Sequence, residues 1–332
     1  GTYTIENRTG APLNEMHLMW PDQLELDNVE IDGATLAHDF AEREQSFPFQ
    51  IWRFATPMQP NERREIRFTT RYEAPGFTNS GAALPVNNNG TFMNDRMLAP
   101  VLGFDRSGLL QDRTRRRKYD LVPDLRMARL EDDSARQFQY LRHDADWVNA
   151  DITVTTEEGQ IPIAAGYEVS NETANGRTTA RFRTEAPIMH FFSIQSADYQ
   201  VARDRWNNVD LAVYYDRAHP YNVERMMRAM KTSFDVFTRE FSPYQFRQMR
   251  ILEFPAYATF AQAFAGTVPY SEGIGFIARY DDATAERETE KVDYVTYVTA
   301  HEVAHQWWAH QLIGADMQGS TMLSETFASY SA

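Results

Sequence analysis

The run His301-Glu302-Val303-Ala304-His305 constrains the local fold and the chemistry of this chain more than any other stretch. In an α-helix, residues i and i+4 lie one above the other on the same face, so the two imidazoles can point at one spot. That is the geometry of a zinc clip, and the intervening glutamate can reach a water on the metal without being a ligand. The spacing therefore predicts a helix that carries two zinc ligands, His301 and His305, with Glu302 as general base.

A third ligand is required, because a catalytic zinc ion usually has three protein ligands and one open position. Residues 319–330 are predicted to form a second helix, with Ser320 as its N-cap, and this helix carries Glu325. Asp316, in the connecting loop, is the alternative carboxylate. We favour Glu325 because a ligand on a helix is held more rigidly than a ligand on a loop. One Zn²⁺ ion is expected, bound by the two histidines and Glu325.

The segments HEVAHQWWAHQL and MLSETFASY resemble those of gluzincin zinc peptidases of the aminopeptidase N type, in which a sequence close to HELAHQWFG precedes one close to WLNEGFA. The resemblance implies that His301, His305 and Glu325 are the zinc ligands and that Glu302 is the catalytic base. Nineteen residues separate His305 from Glu325, whereas this family usually has eighteen and thermolysin-like enzymes have nineteen. We interpret the additional residue as an insertion in the loop around residues 313–318.

A further segment matches the family in part. Residues 264–277 combine glycines with apolar residues, which fits an edge strand that a ligand can approach closely. In the aminopeptidases a motif close to GAMENWGLI occupies this place, and aligning its last three residues with positions 275–277 puts the amine-binding glutamate on Glu272. The substrate-binding residues implied are Glu272, Gly273 and Gly275. If Glu272 faces the cleft, the protein is an aminopeptidase that takes peptides with a free N-terminus; if it points elsewhere, an endopeptidase remains possible.

Short runs of alternating apolar and polar residues recur through residues 1–205. Asn175-Gly176 lies between two of these runs and is a strong signal for a hairpin turn. The pattern predicts an N-terminal antiparallel β domain, either a sandwich or an open, saddle-shaped sheet. The resemblance implies the same, since these peptidases carry an N-terminal β domain beside the active cleft.

Residues 206–332 follow a different pattern. A strand, a helix with an apolar stripe from Val223 to Phe241 and another strand precede the zinc helix, which is expected to begin near Glu288 and to end before Gly314. This order, together with the resemblance, predicts a thermolysin-like α/β catalytic domain and an α+β multidomain chain. The chain stops inside the helix of Glu325, so we expect a catalytic domain truncated at its C-terminus. The oxyanion-stabilising tyrosine of the family would lie beyond the last residue, and low activity is expected of the fragment.

The overall charge limits the partners. A net charge of −14 and a pI near 5.1 argue against nucleic acid. We interpret the basic cluster Arg113–Lys118 as a solvated face, with an anion or lipid headgroup patch as the alternative. The absence of cysteine excludes disulfides and thiolate zinc ligands but does not identify the compartment. No run of 18 apolar residues is present, so a soluble domain is expected.

Two classes of function remain. The first is zinc-dependent hydrolysis of peptide bonds, with an aminopeptidase as the favoured form. The second is a zinc-stabilised binding or regulatory domain of a larger membrane-associated protein. The run HQWWAHQ and the degenerate amine-binding motif resemble the peptidase-like domains attached to bacterial membrane transporter permeases, so any membrane anchor is expected in other parts of a bacterial parent chain. The retention of Glu302 favours chemistry, because a structural zinc site does not need a base there.

Overall fold

The computed structural model describes residues 1–43, 47–74, 84–104, 108–123, 126–144, 147–279 and 293–332. Within them the chain is mostly β-sheet with few helices. It divides into two units, one formed by Gly1–Pro75 with Asn94–Met127 and the other by Gly76–Met93 with Ala128–Ala332. The division into functional domains at residues 1–205 and 206–332 stays a prediction.

The first unit is a β-sandwich. Its strands, numbered along the whole chain, are β1 (Thr2–Glu6), β2 (Leu13–Met19), β3 (Leu24–Ile31), β4 (Ala34–Asp39), β5 (Phe49–Met58), β6 (Arg63–Tyr72) and β8 (Val101–Leu102). One sheet has the order β1-β6-β3 and the other β4-β5-β2-β8, and all pairs are antiparallel. Ile31 and Ile66 from the first sheet pack with Trp52 and Phe54 from the second. This shared apolar core is what removes the inner faces of both sheets from water.

The basic cluster lies in the first unit. It forms the second of two short helices, α1 (Phe40–Arg43) and α2 (Arg113–Lys118). Arg116 is buried, and its guanidinium donates hydrogen bonds to the carbonyl oxygens of Val122 (2.6 Å) and Leu110 (2.8 Å). The other four cations of α2 are exposed. One cation of the cluster is therefore structural, and the role of the exposed four stays a prediction.

The second unit contains the remaining sheets. Its strands are β7 (Thr91–Asn94), β9 (Trp147–Val148), β10 (Asp151–Glu157), β11 (Ile161–Ile163), β12 (Tyr167–Ala174), β13 (Arg177–Arg183), β14 (Ile188–Met189), β15 (Ser193–Ala197), β16 (Gln200–Trp206), β17 (Val209–Tyr215), β18 (Gln248–Phe254) and β19 (Thr267–Ser271). Strands β12 and β13 form the predicted hairpin, in which Asn175 and Gly176 have φ angles of 53° and 75°. Positive φ at both turn positions is the signature of the tight turn that this dipeptide favours, so the prediction is confirmed.

A four-stranded sheet with the order β16-β17-β18-β19 carries the helices of the second unit. Strands β17, β18 and β19 are parallel, and the long helix α3 (Val223–Glu240) connects the first two of them. The predicted stripe on α3 is confirmed as far as Phe237, since Met226, Met230, Phe234 and Phe237 are all buried in the core beside this sheet. Phe241, its last predicted member, lies just beyond the helix and is exposed. The helices α4 (Tyr294–Ala304) and α5 (Glu325–Ser331) follow. No helix in the described ranges is both long and apolar enough to cross a membrane.

The helix that carries the first two histidines is shorter than the sequence pattern indicated. Its expected start near Glu288 lies outside the described residues. Helix α4 ends at Ala304 with His305 as its C-cap, so the expectation that the helix continues up to Gly314 is wrong. Beyond α4 the backbone hydrogen bonds no longer keep a regular spacing of four residues: some span three residues and others five, as in the 3.1 Å bond from His310 N–H to the His305 carbonyl. The chain therefore turns after the zinc-clip motif instead of continuing as an α-helix.

Residues 319–330 form two elements instead of one helix. A 3₁₀ turn, Ser320–Leu323, precedes α5. The N-cap of the turn is Gly319, whose φ of 87° lies in the left-handed region, and the predicted N-cap role of Ser320 is wrong. Ser320 is buried and its backbone lies against Gly314, where an added Cβ would come within 3.0 Å of it. Close packing between Gly314 and Ser320 holds residues 320–323 in a 3₁₀ turn that is separate from α5.

The segment 264–277 is a strand only in part. Strand β19 lies at the edge of its sheet, as expected, but residues Glu272–Phe276 form a π-helical turn. A Cβ at Gly275 would lie 2.3 Å from the ring of Tyr270. Close packing inside the core therefore accounts for this glycine without a bound ligand.

Candidate metal centre

Two imidazoles and one carboxylate converge in the second unit. His301, in α4, and His305, the C-cap of that helix, place their Nε2 atoms 3.1 Å apart. Oε2 of Glu325, the first residue of α5, lies 3.4 Å from Nε2 of His301 and 3.6 Å from Nε2 of His305. Donor atoms bound to one tetrahedral zinc ion lie about 3.4 Å apart, given bond lengths of about 2.0–2.2 Å. The three donors therefore fit a single zinc ion.

The outer ring nitrogens orient the two imidazoles. Nδ1 of His305 lies 3.1 Å from the carbonyl oxygen of Trp308, which only accepts, so this nitrogen carries the proton in the neutral ring. Nδ1 of His301 lies 3.3 Å from Oγ of Ser329. The Nε2 lone pair of His305 is then directed at the shared point, as a metal ligand requires. The Nε2 atom of His305 is therefore available as a metal ligand, and this supports the fit to zinc.

The charges of the cluster favour a cation. Hydrogen bonds from His301 and His305 hold the pKa of Glu325 well below its ordinary value, so this carboxylate is ionised at neutral pH. Burial acts to lower the pKa of His305, but the hydrogen bond with Glu325 and the charge of Glu302 outweigh burial and raise it. A proton thus stabilises the cluster in the absence of metal, and a divalent ion would do so more strongly.

Glu302 borders the same cavity as the three donors, with 6% of its surface exposed. Burial raises the pKa of Glu302 to about 7, although the nearby His305 and His301 act to lower it. The backbone of Ala263 also acts to lower this pKa, and Oε2 of Glu302 is buried without a hydrogen-bond partner in the described structure. A carboxylate with a pKa near neutrality can both take and return a proton at pH 7.

A segment distant in sequence holds the start of α5. The hydroxyl of Tyr140 lies 2.6 Å from Oγ of Ser324, the residue that precedes Glu325. The backbone N–H of Tyr140 donates to the carbonyl of Gly314, and the N–H of Asp316 donates to the carbonyl of Phe138. These contacts fix the loop and the helix start from which the third ligand projects. Tyr140 also lines the cavity, and no sequence pattern indicated it, because 184 positions separate it from Ser324.

The alternative third ligand lies elsewhere. Oδ2 of Asp316 is 2.7 Å from Nε2 of His143, and Asp316 is buried. Among the described residues the three-donor group at this site contains Glu325 and not Asp316. The geometry therefore favours the carboxylate on α5.

His310 and Trp308 support the site without joining the donor group. His310 is buried, its Nε2 donates to the carbonyl of Ala263 at 3.1 Å, and burial lowers its pKa to about 4. The imidazole is therefore neutral at pH 7 and holds the cavity wall in place. The indole N–H of Trp308 donates to Oγ of Ser331 at 3.0 Å, and its ring packs on Phe327. This tryptophan joins the turn after α4 to α5.

The structure does not bring the predicted substrate-binding residues to this cavity. Its described lining includes residues 261–263 but none of Glu272, Gly273 and Gly275. Oε1 of Glu272 accepts a hydrogen bond from the N–H of Ala256 at 2.9 Å, and Oε2 lies 3.8 Å from Nδ1 of His219. The substrate-amine role of Glu272 gains no support from this geometry and stays a prediction.

Comparison with solved structures gives a consistent result. An M1 zinc metallopeptidase from Deinococcus radiodurans is similar at a TM-score of 0.59 and 16% identity. A mutant M1 zinc metallopeptidase from Deinococcus radiodurans bound to a Tyr-Ser-Ala substrate gives 0.60 and 15%, and a two-domain M1 zinc metallopeptidase mutant bound to L-arginine gives 0.58 and 18%. Each comparison covers 99% of this chain and 64% of the solved one. No protein-family model and no curated protein matches the sequence. Over nearly its whole length, the chain shares the fold of M1 zinc metallopeptidases.

Proposed function

We propose that this chain hydrolyses peptide bonds with one Zn²⁺ ion bound by His301, His305 and Glu325. The observation that supports this most is the convergence of three donors beside the unpaired, buried carboxylate oxygen of Glu302. Structural zinc sites are usually closed by four protein ligands, whereas hydrolytic sites have three and an open position. The described residues supply three at this site. The shared fold with zinc metallopeptidases supports the same class of reaction.

In the proposed mechanism, the zinc ion and the side chains have separate roles. When bound, zinc supplies Lewis acidity to the scissile carbonyl and lowers the pKa of a water molecule. Glu302, whose burial raises its pKa to about 7, takes the proton from that water and returns it to the leaving amine. Tyr140, through Ser324, keeps the carboxylate of Glu325 in place while the charge on the substrate changes.

The specificity for a free N-terminus is a narrower proposal. An aminopeptidase needs an anionic group that pairs with the substrate α-amine, so that only the first peptide bond reaches the metal. Glu272 was the expected group, but its carboxylate lies beside His219 and outside the described cavity lining. This position lends no support to the amine-binding role, so an endopeptidase, which would accept a blocked N-terminus, is the second candidate beside the aminopeptidase.

The experiment uses one peptide in two forms, with a free and with an N-acetylated terminus. The zinc-loaded chain is present in excess over the peptide, so that even a slow single turnover is detected. We expect hydrolysis that a chelator removes and added Zn²⁺ restores. Cleavage of the free form alone indicates an aminopeptidase, and equal cleavage of both forms indicates an endopeptidase. Bound zinc without cleavage of either form would favour the binding or regulatory domain, and the membrane-anchored parent chain stays a separate prediction.

A further inference from the structure

A second cluster of metal-ligand side chains lies in the same unit and shares no residue with the candidate metal centre. His219 lies in the turn after β17, Glu253 lies in β18, and Glu272 begins the π-helical turn after β19. One donor atom from each, Nδ1 of His219, Oε1 of Glu253 and Oε2 of Glu272, lies within 4.8 Å of the other two. Three separate elements therefore bring an imidazole and two carboxylates together.

Backbone groups hold both carboxylates in this orientation. Oε2 of Glu253 accepts from the N–H of Asp216 at 2.6 Å, and Oε1 of Glu272 accepts from the N–H of Ala256 at 2.9 Å. The other oxygens face Nδ1 of His219, at 2.5 Å for Glu253 and 3.8 Å for Glu272. Ligating carboxylates in metal sites are oriented by hydrogen bonds of this kind. One oxygen of each carboxylate is therefore anchored by the backbone, and the other is directed toward His219.

The cluster contains more negative charge than its side chains balance. Glu253 is only 4% exposed, and within the described residues His219 is the one cationic group in ion-pair distance of either glutamate. The carboxylate of Asp216 acts on the same imidazole. An ionised carboxylate with so little access to water is unfavourable unless a cation balances its charge. A divalent cation would remove this imbalance.

We propose that His219, Glu253 and Glu272 form a second binding site for a divalent transition-metal ion, with Zn²⁺ as the preferred ion. One imidazole nitrogen and two carboxylate oxygens are ligands that zinc accepts, and water can complete the coordination. An ion bound by Nδ1 of His219 and Oε1 of Glu253 replaces the 2.5 Å hydrogen bond between them, so these two atoms must separate to about 3.4 Å. His219 lies in a turn and is partly exposed, which allows this movement. The ion would join β18 to the turns that follow β17 and β19.

Zinc stoichiometry and affinity of four variants test this proposal. The double variant His301→Ala/His305→Ala removes the candidate metal centre, and His219→Ala or Glu272→Gln is then added to it. We expect two ions in the wild-type chain, one in the double variant and none after His219→Ala. Glu272→Gln should lower the affinity for the remaining zinc ion at least tenfold. His17→Ala is the matched control, because His17 pairs with Glu15 at 3.1 Å on the surface of the other unit, and it should change neither value.

A double variant without zinc would overturn the proposal, as would a remaining ion that His219→Ala and Glu272→Gln leave unchanged. Circular dichroism checks the fold of each variant. If His219→Ala does not fold, Glu272→Gln decides, since it is isosteric and lies at a partly exposed position. A wild-type chain with one ion that only the His219 change removes would support this site and contradict the proposed function, so the two failures are distinguishable.

Discussion

The two clusters of metal-ligand side chains contain the same kinds of donor in opposite proportions. The candidate metal centre has two imidazoles and one carboxylate, whereas the second cluster has one imidazole and two carboxylates. With a divalent ion and neutral imidazoles, the first site keeps one positive charge and the second keeps none. Residual positive charge stabilises a developing oxyanion, and a neutral site has less of this effect. The proportion of imidazole to carboxylate ligands therefore separates a site suited to hydrolysis from a site suited to holding loops together.

The surroundings of the two clusters also suit the first to hydrolysis and the second to a structural role. Beside the first lies Glu302, with a buried carboxylate oxygen that has no partner among the described residues. In the second cluster, backbone N–H groups bind one oxygen of Glu253 and one of Glu272. The first site therefore has a base available for proton transfer, and the second has ligands that are fixed in place.

The substitution Glu302→Gln should give the largest effect. The amide cannot accept the proton of the attacking water, so kcat/KM for a peptide should fall by about 10³-fold or more while the zinc content stays at the wild-type level. Glu224→Gln, at an exposed position of α3, is the control and should leave both values unchanged. Hydrolysis by Glu302→Gln at the wild-type rate would show that Glu302 is not the general base. The two clusters would then no longer differ in having a base beside the ligands.

The substitution Glu325→Gln should act on zinc binding at the first cluster. It removes the ionised ligand and raises the net charge of the loaded site, so zinc affinity there should fall about a hundredfold. The measurement is calorimetric titration with Zn²⁺ in a His219→Ala background, which isolates the first site. An unchanged affinity would exclude Glu325 as the third ligand.

Tyr140→Phe should have a smaller effect through the position of Glu325. The variant loses the hydroxyl contact with Ser324, and we expect about a tenfold loss of zinc affinity and about 1 kcal/mol less stability. Titration with Zn²⁺ and chemical denaturation measure the two quantities. Tyr330→Phe is the control, since that side chain is 86% exposed. If both variants bind zinc like the wild type, the segment of Tyr140 does not position the ligand.

Asp151→Asn should have the smallest effect and provides a reference for both clusters. Hydrogen bonds from Arg181 and Arg183 lower the pKa of the exposed Asp151 carboxylate, so arginines already supply its counter-charge. Because the folded pKa lies below the unfolded value, the stabilisation exists above about pH 4 and is lost as the pH falls further. We expect a melting temperature about 1 °C lower at pH 7, no difference near pH 2 and unchanged zinc stoichiometry. If Asp151→Asn bound one zinc ion fewer than the wild type, a carboxylate already balanced by arginines would be a metal ligand. That result would contradict the argument that unbalanced negative charge marks the metal sites.

Local patterns predicted the elements whose signals lie within a few residues. Asn175-Gly176 fixed a hairpin because few dipeptides adopt positive φ at both positions, and the apolar stripe of α3 follows directly from helical periodicity. The end of α4 was missed because the turn after His305 depends on contacts made far away in sequence. Gln306, for example, binds the backbone of Gly266 and Phe264.

The candidate sites show the same limit. His301 and His305 could be identified because their spacing is one helical turn, and Glu325 because a helical ligand was preferred over a loop ligand. The cluster of His219 and Glu253 could not be predicted, since 34 positions separate them and the parallel pairing of β17 with β18 brings them together. No periodicity in a sequence records a contact of that kind.

The central claim is that three donors hold one zinc ion at an open site. A crystal structure of the zinc-soaked chain, with diffraction measured on both sides of the zinc absorption edge, tests it most directly. We expect an anomalous peak about 2.0–2.2 Å from Nε2 of His301, Nε2 of His305 and a carboxylate oxygen of Glu325, with a fourth position not filled by protein. A peak without the Glu325 carboxylate, or a fourth protein ligand that closes the site, would contradict it.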